Sequence, residues 1–298
     1  NIRAALNLGA LDFVTKPINF DDLNVTINKT LGHIQNLINA QRTKSRLDGI
    51  LHELNIANEI QQSILPRNFI TDANIEMFAK MTAAKEIGGD FYDFFWLDDD
   101  KNKLGLVIAD VSGKGVPAAL FMTVSRTLLR AHAYSGTQAP GECLTRVNNA
   151  LTKDNANAMF VTTFYATFDL KTGILTYSNA GHNPPYIIRK DKSVESLTKS
   201  HGMALGVMED LEYKDDQLQL NEGDLFFLYT DGVTEAENKD GNMYSDQKLS
   251  DNLDKYRDLA ANELINTIRA DITSFASGWP QSDDITMLAI RYLASKQN

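Results

Sequence analysis

Hydrophobic residues along this chain follow two different spacings, and the change between them divides the chain. In the first part apolar residues step by three and four, as on one face of a helix. These residues are Ile27, Leu31, Ile34 and Ile38, followed by Leu47, Leu51 and Leu54. From about residue 68 the pattern becomes short apolar runs separated by turn-forming residues, which is typical of strands. We therefore predict a helical N-terminal part and a strand-rich domain over residues 68–298.

The apolar runs of the second part predict a series of strands. They are residues 75–81, 91–97, 104–109, 162–168, 174–178, 186–188, 224–229 and 284–292. Several runs are apolar on both faces, so both sides of each sheet must be covered. Helical spacing predicts that cover at residues 116–134, 141–152 and 262–275. Short turn-rich links favour antiparallel pairs. The fold class that follows is α+β, an antiparallel β-sandwich flanked by helices in αββα order.

The first part predicts a short mixed segment and then a long polar helix. Residues 1–30 are interpreted as helix, strand and helix, at 2–10, 12–15 and 20–31. Residues 31–67 contain no proline before Pro66 and predict one extended linker helix. Its apolar stripe could pack on the helix's own domain or pair with a second copy. A narrow stripe on a long polar helix favours the coiled coil, and with it a homodimer.

Composition and charge narrow the classes of function. The 298 residues carry a net charge of −10 with a pI near 5.0, so nucleic-acid phosphates would be repelled. No apolar stretch approaches the ~20 residues of a membrane helix, and the N-terminus has no signal-peptide pattern. The single cysteine, Cys143, excludes an internal disulfide and fits a reducing compartment. We expect a cytoplasmic protein that binds neither nucleic acid nor membrane.

Four aspartates lie at the ends of apolar runs, beside glycine. They are Asp90 in GGDFYD, Asp110 in VIADVSGKG, Asp231 in FFLYTDG and Asp283 in SDDIT. Two of them end their strands and the last precedes its own, so an antiparallel last strand would bring these three to one edge. Clustered carboxylates repel, and a hard divalent cation such as Mg²⁺ or Mn²⁺ holds them together. Aspartate and glycine are also common turn residues, so each motif alone carries no assignment. Together they favour metal-dependent hydrolysis of a phosphate ester.

A series of segments then resembles the SpoIIE/RsbU group of bacterial serine phosphatases, within the metal-dependent (type 2C) protein phosphatase superfamily. The segments are AAKEIGGDFYDFF, GLVIADVSGKGVPAALFM, MFVTTFYATFD, YSNAGHNPPYII, GDLFFLYTDGVTEA and SDDITML. They occur in the family's order and spacing, and the resemblance runs through about residues 55–293. It implies a β-sandwich flanked by helix pairs, with two ions of Mn²⁺ or Mg²⁺ at one edge.

The resemblance also implies a role for each acid. Asp110 would bridge the two ions, and the backbone carbonyl of Val111 would add a ligand. Asp231 and Asp283 would complete one ion, and Asp90 would serve the other, directly or through water. The neighbouring Asp284 is the alternative to Asp283, and the resemblance favours Asp283.

The function implied is that of a phosphoserine/phosphothreonine protein phosphatase acting as the output of a response regulator. Its implied substrate is a phosphorylated anti-sigma-factor antagonist of the STAS type, in partner-switching signalling. The alternative is a non-catalytic adaptor whose phosphatase fold binds a sigma or anti-sigma factor. Loss of the acids would favour the adaptor, and all four are present.

Four further positions near these motifs have alternative interpretations, and one of them differs from the residue found in eukaryotic members of the superfamily. Ser112 stands where eukaryotic members carry a histidine proposed as general acid, so the proton donor is open, with a metal-bound water the simplest candidate. Lys85 and Lys114 could hold phosphate, but we interpret each as a solvated surface lysine. His182 could line a substrate groove, and we expect it instead to fix its loop.

The N-terminal segment ALNLGALDFVTKP (residues 5–17) resembles the last part of a response-regulator receiver domain. In that family the lysine before proline contacts the phosphorylated aspartate, which assigns the role to Lys16. The phospho-acceptor aspartate would lie upstream of Asn1, so we expect the chain to lack its beginning. Residues 1–30 are then the C-terminal part of a receiver, whose partner would be a sensor histidine kinase or a phosphotransfer protein.

Overall fold

The structure is a computed structural model and describes residues 9–70, 74–136, 139–153, 155–190 and 194–293. The chain divides into two compact units, residues 1–56 and 57–298. No helix in these described ranges combines the length and the apolar character needed to cross a bilayer.

One long helix, α1 (Phe20–Ile64), runs through most of the first unit and ends in the second. It joins the two helices predicted around residue 31, because neither Gly32 nor any proline interrupts it before Pro66. Asp21 and Asp22 occupy its first turn, where the helix dipole favours negative charge. The stripe residues Leu47 and Leu51 are exposed in the single chain. The choice between coiled-coil pairing and packing within one chain therefore stays a prediction.

The strand predicted at residues 12–15 is wrong, since these residues have no regular secondary structure. A strand requires a neighbour to pair with, and the described residues of the first unit contain no other strand. The helix predicted at residues 2–10 lies almost wholly outside the described residues.

The second unit is built on two five-stranded antiparallel sheets. The first sheet has the order β1 (Ile75–Thr82), β10 (Ile285–Tyr292), β9 (Leu225–Tyr229), β6 (Tyr186–Ile188) and β7 (Val194–Ser196). The second has the order β2 (Phe91–Trp96), β3 (Lys103–Val111), β4 (Val161–Asp169), β5 (Ile174–Ala180) and β8 (Asp216–Gln219). Helices α2 (Val116–Tyr134) and α3 (Pro140–Thr152) cover the second sheet, and α4 (Asp246–Lys255) and α5 (Ala261–Ala276) cover the first. The predicted αββα sandwich is confirmed.

Strand β9 shows why its run LFFLY is apolar on both faces. Phe226 and Leu228 belong to the core between the sheets, with residues of β3 and β4. Leu225, Phe227 and Tyr229 belong to a second core, under α4 and α5. Strand alternation divides one apolar run between two cores.

Candidate metal centre

The acidic motifs meet because two antiparallel pairs of strands present them at one edge of the sandwich. Strands β2 and β3 are paired so that Asp90, just before β2, lies beside the end of β3 that carries Asp110. Strands β9 and β10 are likewise antiparallel, with Asp231 two residues after the end of β9 and Asp283 two residues before the start of β10. The second sheet supplies two of the acids and the first sheet supplies the other two.

Asp90 is buried and held by hydroxyl groups of the opposite sheet. Its Oδ2 accepts hydrogen bonds from the Thr230 hydroxyl at 2.7 Å and the Thr286 hydroxyl at 2.6 Å. Burial raises the pKa of Asp90 well above its ordinary value, and the charges of Asp110 and Asp284 add to this, while the two hydroxyls oppose it. No pattern in the sequence indicated these two threonines, because their role depends on the register of strands from both sheets.

Asp110 lies in the centre of the electrostatic cluster. Burial raises its pKa to about 7, and the charge of Asp231 is the next cause, followed by Asp283 and Asp284. A hydrogen bond with Asp90 acts in the opposite direction. The protonation of Asp110 is therefore linked to that of Asp90.

Asp231 and Asp283 lie nearer to solvent and next to a lysine. Burial raises the pKa of Asp231, as do the charges of Glu235 and Asp283, while the following backbone amide and Lys114 lower it. Lys114 Nζ lies 2.7 Å from Asp283 Oδ2 and also donates to the carbonyl of Ser282. Lys114 is thus an exposed surface lysine, as expected, that is also ion-paired at the acidic edge. The exposed Lys85 agrees with the same expectation.

The two neighbouring acids Asp283 and Asp284 have different surroundings. Asp284 Oδ1 accepts the amide of Ala84 at 2.8 Å, and its Oδ2 accepts the amides of Gly89 at 2.7 Å and Asp90 at 3.3 Å. Its carboxylate therefore organises the backbone that leads into β2. The side chain of Asp283 is 30% exposed and faces Lys114.

Two glycines allow the close approach of these segments. A Cβ on Gly232 would overlap the backbone carbonyl of Asp284, and a Cβ on Gly88 would overlap its carboxylate. Any larger residue at either position would push apart chain segments that carry acids of the cluster.

The last turn of α1 is joined to the same segment, within the second unit. The buried Gln61 donates from Nε2 to the carbonyl of Gly88 at 2.6 Å and accepts the amide of Gly88 at 3.1 Å. One side-chain amide thereby fixes the peptide two residues before Asp90. The sequence offered no signal for this contact, because Gln61 is one of several glutamines in a polar helix.

Asp93 points away from the cluster, because side chains alternate between the two faces of a strand. Its buried carboxylate binds two arginines of α2: Arg130 Nε at 2.6 Å and Nη2 at 2.8 Å, and Arg126 Nη2 at 3.1 Å. Since α2 starts just after the loop that follows Asp110, this ion-pair group anchors that helix to β2.

His182 is buried in its loop, as expected. Asn179 accepts its backbone amide at 2.7 Å and donates to its carbonyl at 3.0 Å, while the ring Nδ1 lies 2.8 Å from the Thr162 hydroxyl. Burial lowers the pKa of His182 to about 3, so the ring is neutral near neutral pH.

The charges of the acids act on one another, but their oxygens hydrogen-bond mainly to different groups of the protein. In the described residues, no three acidic, histidine or cysteine side chains already surround a single point as they would a bound ion. The donor types nevertheless fit a hard cation, since the set is oxygen-only and carries more negative charge than Lys114 can balance. Gly89 contributes a further feature, because a methyl group there would lie 3.0 Å from the carbonyl oxygen of Val111. Its missing side chain leaves space beside that oxygen.

The chain is similar in sequence to one protein family and to several bacterial proteins. The family model described as Stage II sporulation protein E (SpoIIE) matches residues 100–293. Protein IcfG of Synechocystis sp. is 30% identical over 96% of this chain and 49% of its own length. Phosphoserine phosphatase RsbU of Bacillus subtilis is 29% identical over 91% of this chain and 79% of its own. The chain thus spans about half of the first relative and more of the second.

Among solved structures, the SiaA-PP2C domain of Pseudomonas aeruginosa superposes with a TM-score of 0.74. The match covers 83% of this chain and 98% of that domain, at 22% sequence identity. At that identity the likeness establishes a shared fold and nothing more.

Proposed function

Because the chain belongs to the SpoIIE family and has the PP2C fold, we propose that it is a metal-dependent phosphatase acting on phosphoserine or phosphothreonine in proteins. The observation that carries the proposal is the meeting of Asp90, Asp110, Asp231 and Asp283 at one edge of the sandwich. The raised pKa values of the first three show that these carboxyls repel one another and are poorly solvated. Such a cluster is costly to fold and is typical of a functional site.

The ligand set we propose for two ions, Mn²⁺ or Mg²⁺, is these four aspartates and the carbonyl of Val111. Asp283 is preferred to Asp284 because the latter's carboxylate is already occupied by three backbone amides. When bound, the ions would lower the pKa of a water and stabilise negative charge on the phosphoryl group. The chain's own part is orientation, since Thr230 and Thr286 fix one oxygen of Asp90.

Ser112 is a poor candidate for the group that protonates the leaving serine oxygen. Its hydroxyl accepts the backbone amide of Phe160 at 3.0 Å, and its own amide donates to the Phe160 carbonyl at 2.9 Å. These bonds give Ser112 a structural role in closing the loop after β3. An unperturbed hydroxyl is also a weak acid near neutral pH.

As the natural substrate we propose a phosphorylated STAS-type anti-sigma-factor antagonist, on the strength of the family resemblance. The experiment is phosphate release from such a phosphoprotein, measured with Mn²⁺, with Mg²⁺ and with EDTA. We expect release with a divalent cation and none with the chelator. Release that is insensitive to EDTA would contradict the metal-dependent mechanism.

The same assay separates the enzyme from the alternative, a non-catalytic adaptor for a sigma or anti-sigma factor. An adaptor would bind its partner and release no phosphate under any metal condition. The intact acidic cluster favours the enzyme, because an adaptor has no need to keep mutually repelling carboxyls buried.

For the N-terminal part we propose that residues 1–30 are the end of a receiver domain, phosphorylated by a sensor histidine kinase or a phosphotransfer protein. We also propose that residues 31–67 form a helix that pairs with a second copy. Support for pairing comes from α1, whose apolar residues Leu47, Ile50 and Leu51 are exposed in one chain. A second copy could bury them in a parallel coiled coil.

The pairing predicts that Leu47→Asp/Leu54→Asp converts a dimer to a monomer in light scattering, because two charges would be buried at the seam. Ser45→Asp/His52→Asp is the matched control, with the same change and the same spacing on the opposite face of α1. The proposed pairing would be contradicted if the unsubstituted chain is a monomer, or if the control variant dissociates to the same extent.

A further inference from the structure

A small apolar cavity lies beside the acidic edge, where α5 ends. Its walls include Ile272 and Ala276 of α5, Trp279 and Pro280 of the following loop, and Ile285 of β10. Its volume is about 180 Å³. An apolar cavity of about 150 Å³ is large enough to hold benzene, whereas pockets for small-molecule ligands span about 300–1,000 Å³. The cavity therefore has room for one phenyl or branched aliphatic side chain.

Two walls of this cavity are chain neighbours of the acids. Gly232 lines it and follows Asp231, while Ser282 lines it and precedes Asp283. Neighbouring Cα atoms are about 3.8 Å apart. A peptide with its phosphate at the acids would thus bring a side chain from one of the next few residues to the cavity.

The loop that forms the cavity is held in place. Gln281 Nε2 donates to the carbonyls of Thr82 at 2.9 Å and Asp283 at 2.7 Å, and the amide of Trp279 donates to Ala276 at 2.9 Å. The Trp279 side chain is nevertheless 49% exposed. A half-exposed tryptophan on a hydrogen-bonded loop at the rim of a binding site is typical of a recognition residue.

We propose that this cavity receives an apolar side chain of the phosphoprotein substrate, from a residue within a few positions of the phosphoserine. Trp279 is then a specificity-determining residue. The inference rests on the proposed phosphatase function and adds a sequence preference to it. Glu237 contributes negative charge to the cavity wall, so an acidic side chain at that position of the substrate is disfavoured.

The test compares phosphoserine peptides that differ at one position, carrying leucine, serine or aspartate within three residues of the phosphoserine. With Mn²⁺, the unsubstituted chain should show a kcat/KM at least about tenfold higher for the best leucine peptide than for its serine counterpart, which is the usual discrimination of an apolar pocket. Trp279→Ala should reduce this ratio towards one. Ala276→Leu, which fills the cavity and leaves Trp279 in place, should do the same.

Leu120→Ala is the matched control, because it shortens an even more exposed apolar side chain, on α2. Its leucine-to-serine ratio should equal that of the unsubstituted chain. The cavity proposal is overturned if the unsubstituted chain treats all peptides alike, or hydrolyses p-nitrophenyl phosphate and no peptide. It is also overturned if Leu120→Ala, instead of the cavity variants, removes the preference. Absence of Mn²⁺-dependent hydrolysis of every one of these substrates would instead refute the phosphatase function.

Discussion

Asp110→Asn is expected to lower metal-dependent hydrolysis of a phosphoserine protein by about 10³-fold or more. Bound metal ions supply several kcal/mol of transition-state stabilisation, and each 1.36 kcal/mol corresponds to about a factor of ten in rate. Asp231→Asn should have a similar effect, because the charges of Asp110 and Asp231 act on each other. Steady-state phosphate release with saturating Mn²⁺ measures the loss.

The same two variants should remain folded, and this separates a chemical from a structural defect. A carboxyl whose pKa is raised on folding opposes folding once the pH exceeds its ordinary pKa, and does so fully above the raised pKa, so the neutral asparagine removes an unfavourable term. Thermal unfolding without metal should therefore be unchanged or occur at a higher temperature. Asp99→Asn, an exposed acid in the turn between β2 and β3, is the control. Turnover near the unsubstituted rate in either cluster variant would disprove the assignment of the acids.

Asp93→Asn is expected to destabilise the second unit by about 3 kcal/mol or more. Removing one partner of a buried ion pair typically costs about 3–5 kcal/mol, because the other charge is left without compensation. Here the carboxylate is 1% exposed, and Arg126 and Arg130 would both lose it. For a domain of this size, each kcal/mol corresponds to roughly 2–4 °C in melting temperature, which calorimetry can resolve.

The exposed pair of Glu142 and Arg146 on α3 provides the contrast. Both side chains are about half exposed, and such pairs contribute less than about 1 kcal/mol. Glu142→Gln should therefore leave the melting temperature nearly unchanged. Equal shifts in Asp93→Asn and Glu142→Gln would show that the arginine group of α2 does not anchor the helix.

The sandwich could be predicted because its strands have strongly apolar sequences. Runs such as those of β3 and β9 can be satisfied only by cover on both faces, and the antiparallel pairing that brings three acids to one edge follows from where each aspartate stands in its run. Asp93, at the third position after Asp90, lies on the opposite face because side chains alternate along a strand.

The elements that were missed have weak apolar patterns. Strand β8 is DQLQ at the edge of its sheet, and β7 has only three residues. Helix α4 has just two buried leucines, Leu249 and Leu253, in an otherwise polar sequence. The available signal was its N-cap, Ser245, whose hydroxyl accepts the amide of Lys248.

The missed site residues share another cause. Thr230, Thr286 and Gln61 act through contacts between segments far apart in the chain. Hydroxyl and amide groups occur throughout any polar surface, so only the assembled fold distinguishes these three. The ion pair of the exposed Lys114 could not be predicted for the same reason, because its partner Asp283 is 169 positions away.

The acidic cluster is divided between the two sheets, so the affinity for the proposed ion depends on how the sheets are spaced. Asp110 repels Asp231 and Asp283 across the space between the layers, while the hydroxyls of Thr230 and Thr286 bind Asp90 and hold the layers together. A cation bound as proposed would hold the two layers together as well as supply the chemistry. Substitutions that change the spacing of the layers here would then change the affinity for the ion, even at residues that do not contact it.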